Sequence, residues 1–169
     1  MTSVTDKTVL ITGSNSGIGF EAAAQLAEAG WGSVILACRT EEKAEAARKL
    51  LVDRTRKDPF KVLAIDTSEV DSAIAASAQL LEDDIHVDFL LLNAGATGST
   101  PVFNSNGVEI TWASNLIGHH VLAMRLLGDG LLTSSARIVI AGSEGSRGTV
   151  PGLKVHDIEA VANDHHDGD

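Results

Sequence analysis

Val9-Leu10-Ile11-Thr12-Gly13-Ser14-Asn15-Ser16-Gly17-Ile18-Gly19 is the stretch that decides the fold. A short apolar run stops at a glycine, and a helical pattern follows from Gly17 to Ala29, with Ile18, Ala22 and Leu26 at helical spacing and Gly30 where a helix ends. Strand, glycine loop and helix in that order form the context in which backbone amides bind phosphate. Gly13 permits a tight turn, Gly17 lets the backbone approach a pyrophosphate, and Gly19 allows close helix packing. The helix start offers unpaired N–H groups and a positive dipole end to the anion. Taken alone, the same glycines also fit an ordinary turn between a strand and a helix.

Outward from this loop, strands and helices alternate. Ser33–Ala37, Lys61–Ile65, His86–Leu92 and Arg137–Ala141 read as four further strands. Thr40 is placed to cap a second helix, with Glu41 and Glu42 at its positive end. Ser68-Glu69-Val70-Asp71 has capping-box spacing for a third helix, whose apolar positions include Val70, Ile74 and Leu81. A longer helix is expected from about Val108 to Leu127. Helices between strands mean right-handed βαβ crossovers, and these lead to a Rossmann-like, doubly wound parallel α/β sheet of about five strands. Residues 1–150 are expected to form this nucleotide-binding domain, and residues 151–169 an acidic, His-rich tail.

Composition excludes several classes. With 169 residues, 44% apolar and 21% charged, the chain can build a core. Its net charge of −10 argues against nucleic acid and against anionic lipid as partners. No apolar stretch is long enough to span a bilayer, and the polar start Met1-Thr2-Ser3-Val4-Thr5-Asp6 does not resemble an export signal. The lone Cys38 suits a reducing compartment, so a cytoplasmic location is expected. No metal site is expected: Asp164-His165-His166-Asp167 has ligand-type side chains but no rigid element beneath it, and His119 and His120 are adjacent rather than paired on one helix face. Those two histidines read as packing or surface residues.

Five motifs in order carry a family resemblance. They are Thr12-Gly13-Ser14-Asn15-Ser16-Gly17-Ile18-Gly19, Cys38-Arg39, Asp66-Thr67-Ser68, Leu92-Asn93-Ala94-Gly95 and Asn115-Leu116-Ile117-Gly118-His119, with Ser143 just beyond the fifth strand. The set resembles the short-chain dehydrogenase/reductase superfamily over about residues 7–150, and most of all its retinol dehydrogenase and protochlorophyllide reductase branch. The resemblance implies an oxidoreductase that moves hydride between NADP(H) and a carbonyl or alcohol of a small-molecule substrate. It also leaves room for a homo-oligomer of the full-length protein. Ser14, Asn15, Ser16 and Ile18 join the three glycines as cofactor-binding residues, with Thr67, Asn93, Ala94 and Gly95. Ser143 would orient the substrate oxygen. Asn115 would serve the proton relay by holding a water at a local helix distortion, or it is a solvent-facing residue.

Arg39 falls where an adenosine ribose should lie. A guanidinium there suits a 2′-phosphate and favours NADP over NAD; otherwise it is a solvated arginine, unfavourably placed at a helix's positive end. Asp66 either accepts from the adenine amino group or serves as a turn residue. Asn93 either contacts cofactor or fixes neighbouring strands.

The chain contains no tyrosine. Family members pair the serine with Tyr-x-x-x-Lys, and His156, with Ala160 four places later, does not replace it. Two further readings therefore stand beside the oxidoreductase: an NADP-binding module without turnover, and a truncated, non-functional piece of a longer enzyme. For the same reason one face of the last two strands is expected to be bare. The set is either Phe89, Leu91, Ile138 and Ile140, or Leu90, Leu92, Val139 and Ala141. Three or four such side chains left wet would cost roughly 5–10 kcal/mol.

Overall fold

The computed structural model describes residues 3–98 and 100–143. Five parallel strands, β1 (Thr8–Thr12), β2 (Ser33–Cys38), β3 (Phe60–Ala64), β4 (Val87–Leu92) and β5 (Leu132–Ile140), lie in the order β3-β2-β1-β4-β5. The order reverses between β1 and β4, which opens a crevice at the carboxyl ends of those two strands. This is the doubly wound α/β sheet that the alternation of elements implies.

Helices cover both faces. On one side α1 (Gly17–Glu28) and α2 (Glu41–Thr55) bury Ala23, Ala24, Ala27, Ala47 and Leu51 against Val9, Ile11, Val34 and Leu36. On the other, α3 (Val70–Glu82) and α5 (Gly118–Gly128) bury Ala73, Ala76, Leu80, Leu122 and Leu126 against Leu10, Ile35, Leu63 and Leu90. The two expected helix faces need partial correction. In α1, Ala22 and Leu26 pack partly buried against the core, but Ile18 is 75% exposed and the fully buried contacts are Ala23, Ala24 and Ala27. In α3, Ile74 and Leu81 are exposed and Ala73, Ala76, Ser77 and Leu80 are buried. The side that packs closest to the sheet is the one with small side chains.

The capping box is also replaced. Glu69 is the N-cap of α3 and makes no side-chain cap bond. Ser68 N and Oγ instead donate to Asp66 Oδ1, at 3.0 and 2.6 Å, so this segment is a tight Asx turn. Thr40 does cap α2, its hydroxyl accepting from Lys43 N at 3.4 Å.

The last helical stretch is interrupted. α4 (Ile110–Trp112) leads into a π-helical turn (Ala113–Ile117) before α5, and there Gly118 N–H reaches back five residues to the Ala113 carbonyl. Strand β5 begins at Leu132, earlier than its apolar core suggests. Its register sets Leu90 and Leu92 beside Ile138 and Ile140, and Leu91 beside Val139, so neither expected grouping of bare side chains is right. A register shift between Val87 and Phe89 changes the parity. Leu90 and Leu92 are buried, whereas Ile138, Val139 and Ile140 are all exposed, Ile140 by 69%.

The tail at 151–169, with His156 and the Asp164–Asp167 cluster, lies outside the described residues.

Candidate functional site

A cavity of about 540 Å³ fills the crevice between β1 and β4. Its wall includes Gly13, Asn15, Ser16, Gly17 and Ile18 from the first loop, and Arg39 and Lys43 beyond β2. Thr12, Thr67, then Asn93, Ala94 and Gly95, and Ser114 of the π-turn also line it. The structure thus brings together ten of the residues singled out in the sequence.

The three loop glycines answer to different constraints. Gly13 has φ +67°, and a Cβ there would sit 2.8 Å from Ala94 Cα. A Cβ on Gly19 would lie 2.5 Å from the Gly13 carbonyl oxygen and 2.6 Å from Asn93 Nδ2. Gly17 has φ +54° but open space where its Cβ would be. Close packing therefore demands Gly13 and Gly19, and backbone conformation alone demands Gly17.

The loop also leaves the start of α1 free for an anion. Ser16, its N-cap, makes no side-chain cap bond, and no acidic residue sits in the first turn. By contrast α2 carries the Thr40 cap and two glutamates, and α4 carries Glu109, whose carboxylate accepts from Trp112 N at 2.9 Å. With open space at Gly17, these groups fit a diphosphate.

Ser14 is not on the wall. Its hydroxyl is buried 3.5 Å from Cys38 Sγ beneath the loop, where burial pushes the Cys38 thiol up despite bonds from Ser14 and Asn15. Asp66 is not on the wall either. Ser68 engages Oδ1, and Arg39 Nε lies 3.5 Å from Oδ2. The Arg39 side chain is 53% exposed and lines the cavity. Lys43, which sequence reasoning passed over, stands beside it on the cavity wall. It lies in the first turn of the capped helix α2.

Asn93 ties the strand ends together. Its Nδ2 donates to the carbonyls of Thr12 at 3.0 Å and Gly13 at 3.4 Å. Thr12 Oγ1 accepts from Asn93 N at 2.9 Å and Ala94 N at 3.0 Å. Buried His119 closes this network, with Nε2 3.0 Å from Thr12 Oγ1. Burial holds its pKa below the ordinary imidazole value, against a hydrogen bond from the ring to the Asn115 carbonyl. His119 thus packs, as one of the two sequence readings had it, and His120 is exposed. Only the third dimension joins residues 12 and 119.

Asn115 sits in the π-turn, and its side chain grips a single peptide unit. Oδ1 accepts from Ala96 N at 2.7 Å, and Nδ2 donates to Ala96 O at 2.9 Å. It thereby pins the loop that follows Asn93–Gly95. Ser143 is exposed, three residues beyond the end of β5. Among the described residues no group of histidine, cysteine and acidic side chains could hold a metal, and no helix is long and apolar enough to cross a membrane.

Comparison with known proteins agrees with this geometry. A family model described as short chain dehydrogenase matches residues 7–156. Human retinol dehydrogenase 13 is 35% identical over 133 residues, covering 79% of this chain and 40% of that protein. Protochlorophyllide reductase A of Arabidopsis thaliana is 35% identical over 151 residues, covering 85% and 36%. Among solved structures, 3-ketoacyl-(acyl-carrier-protein) reductase from Brucella melitensis complexed with NADH superposes with TM-score 0.68 at 26% identity, covering 89% of this chain and 62% of that one. The chain spans about two fifths or less of the curated relatives named here. It belongs to the short chain dehydrogenase family, a family that binds nicotinamide dinucleotides, and is similar to members of its retinol dehydrogenase and protochlorophyllide reductase branch.

Proposed function

We propose that the chain is the dinucleotide-binding part of an NADP-dependent oxidoreductase acting on a carbonyl or alcohol of a small molecule. The observation that carries this is the glycine loop at the strand-order reversal, with two cations, Arg39 and Lys43, on the same cavity wall. The amides of residues 15–19 hold the diphosphate. Arg39 and Lys43 take the 2′-phosphate, Arg39 being oriented through Nε by Asp66. Asp66 accordingly acts on the cofactor through Arg39, while Thr67 lines the adenine side. Asn93, Ala94 and Gly95 line the part of the crevice over β4. When bound, the nicotinamide supplies or accepts hydride. Ser143 orients the substrate oxygen, and Asn115 holds the loop beside it.

A second reading, a module that binds NADP without turnover, is favoured by the absence of tyrosine from the chain. A truncated, non-functional piece would show neither binding nor turnover. Further parts of the reading are a cytoplasmic location, which fits the buried free thiol of Cys38, and a homo-oligomer of the full-length protein, which fits the exposed Met124 and Leu127 on α5.

Titrating NADPH and NADH separately against the 169-residue chain, with tryptophan fluorescence as readout, tests the cofactor. Tighter binding of NADPH is expected, with Arg39→Ala weakening NADPH and leaving NADH little changed. Equal losses for both cofactors would remove the 2′-phosphate assignment. Turnover across a panel of carbonyls and alcohols then separates the oxidoreductase from the binding module. An in-frame Tyr-x-x-x-Lys in the full coding sequence would supply the proton donor.

A further inference from the structure

The Thr12 hydroxyl has more partners than a lone hydroxyl can satisfy in any arbitrary orientation. It carries one proton and two acceptor lone pairs. Two backbone donors, Asn93 N at 2.9 Å and Ala94 N at 3.0 Å, point at the oxygen and take both lone pairs. The proton must then go to His119 Nε2 at 3.0 Å or to the Leu91 carbonyl at 3.5 Å. The shorter contact is the real bond, and the longer one lies at the limit of hydrogen bonding. Nε2 is therefore an acceptor, and the ring proton sits on Nδ1. The Asn115 backbone, inside the turn where the main-chain bonds run to the fifth residue instead of the fourth, acts on the same ring.

Gly118, the residue before His119, is what lets the ring arrive. It is buried, and a Cβ on it would collide with the Thr67 carbonyl, so the helix lies directly on the loop after β3. Thr67 and Thr12 both line the cavity. The start of α5 thus touches two strand ends at once, through a backbone contact and through an imidazole.

Resting on the dinucleotide reading of the cavity, we infer that His119 is a positioning residue for the cofactor site: by taking the Thr12 proton it aims the hydroxyl's lone pairs at the Asn93 and Ala94 amides, and so sets the cavity wall formed by residues 93–95. It touches no ligand itself. Without the acceptor, the hydroxyl turns toward Leu91 and the two amides lose their aligned partner. The π-turn and the Asn93 segment then keep the Asn115–Ala96 bonds but lose the link through Thr12.

Three variants and one spectrum test this. His119→Leu removes the ring bond to Thr12, His119→Gln restores an acceptor at the Nε2 position, and His119→Asn places a polar group only near Nδ1. NADPH binding is expected to weaken about tenfold in His119→Leu and His119→Asn, about 1.4 kcal/mol. In His119→Gln it should stay within about twofold of the parent. Equal affinity for the Leu and parent forms, or equal losses in Gln and Asn, would overturn the proposal. Should His119→Leu not fold, the Gln and Asn pair still decides. Nitrogen-15 spectra of the unliganded chain give a readout independent of binding. His119 is expected as the Nδ1–H tautomer; an Nε2–H tautomer would sink the assignment. If the parent chain binds no NADPH, the cofactor reading fails, and the tautomer and the Asn93 and Ala94 amide shifts in His119→Gln against His119→Asn still judge His119.

Discussion

Replacing Gly19 by alanine should damage the protein through packing, whereas the same change at Gly17 should act through backbone strain. The Cβ of Gly19→Ala would stand 2.5 Å from the Gly13 oxygen and 2.6 Å from Asn93 Nδ2. Ordinary contacts need about 3.5 Å or more, so α1 or the Asn93 side chain must move by about 1 Å. Moving Asn93 endangers its bonds to the Thr12 and Gly13 carbonyls, each worth about 1 kcal/mol. Forcing volume into a packed site adds about 1–3 kcal/mol. With part of the damage relieved by relaxation, a loss of about 2–4 kcal/mol is expected. Gly17→Ala meets no neighbour, and holding alanine at φ +54° costs about 1–2 kcal/mol. Urea unfolding followed by tryptophan fluorescence measures both, the shift in midpoint at constant slope giving the energy. Gly19→Ala should be the less stable of the two, and NADPH titration should find both variants weakened. A Gly19→Ala protein within about 0.5 kcal/mol of the parent would refute the close-packing argument, since that is the ordinary scatter of inconsequential substitutions.

Other predictions concern the opposite end of the sheet and the helices. Burial alone would push the Asp88 carboxyl up, but bonds from Thr8 N, Lys7 and Thr133 outweigh it and hold its pKa below the usual value of 3.8. Its contribution is therefore present above that value and lost as pH falls through the folded pKa; Asp88→Asn should cost about 1–3 kcal/mol at neutral pH and flatten that part of the acid profile. His119 works in a higher window. Burial keeps the folded ring neutral below the ordinary value of 6.5, where the unfolded ring takes a proton, so stability should fall as pH drops below 6.5 and level off beneath the folded pKa. A pH series of urea curves should show this slope in the parent and not in His119→Gln. Gly118→Ala should lower both stability and NADPH affinity because its methyl group meets the Thr67 carbonyl, while Gly128→Ala, which meets nothing, should be neutral or stabilise by up to about 1 kcal/mol. Thermal unfolding of the two alanine variants side by side checks the contrast.

The strands and the glycine loop were legible because their signals are local. Val9–Thr12 is an unbroken apolar run, and Gly13 and Gly17 stand where positive φ excludes other side chains. Helix orientation was only partly legible in α1, where Ala22 and Leu26 do pack inward, and less so in α3, where Ile74 and Leu81 face out. Ile18 is turned outward at the cavity while three alanines face the sheet. The parity of the last strand pair was lost to the register shift between Val87 and Phe89, which no alternation pattern encodes. Strand β5 starts in the polar Thr133-Ser134-Ser135 segment because an edge strand need not bury its side chains. In the cavity, the motif residues could be found one by one. The bond between Thr12 and His119 spans 107 positions, and Lys43 carries no motif of its own, so neither had a local signal.

The alanines beneath α1 have a consequence that reaches the ligand without touching it. A helix that buries Ala23, Ala24 and Ala27 against the strands packs through small side chains, with little free volume beneath it. A methylene added there would lift the helix, and under the proposed reading its leading amides would rise away from the diphosphate. On that reading, affinity for the nucleotide depends on spacers deep in the protein. A search for tighter or looser binders would do well to vary the floor before the loop.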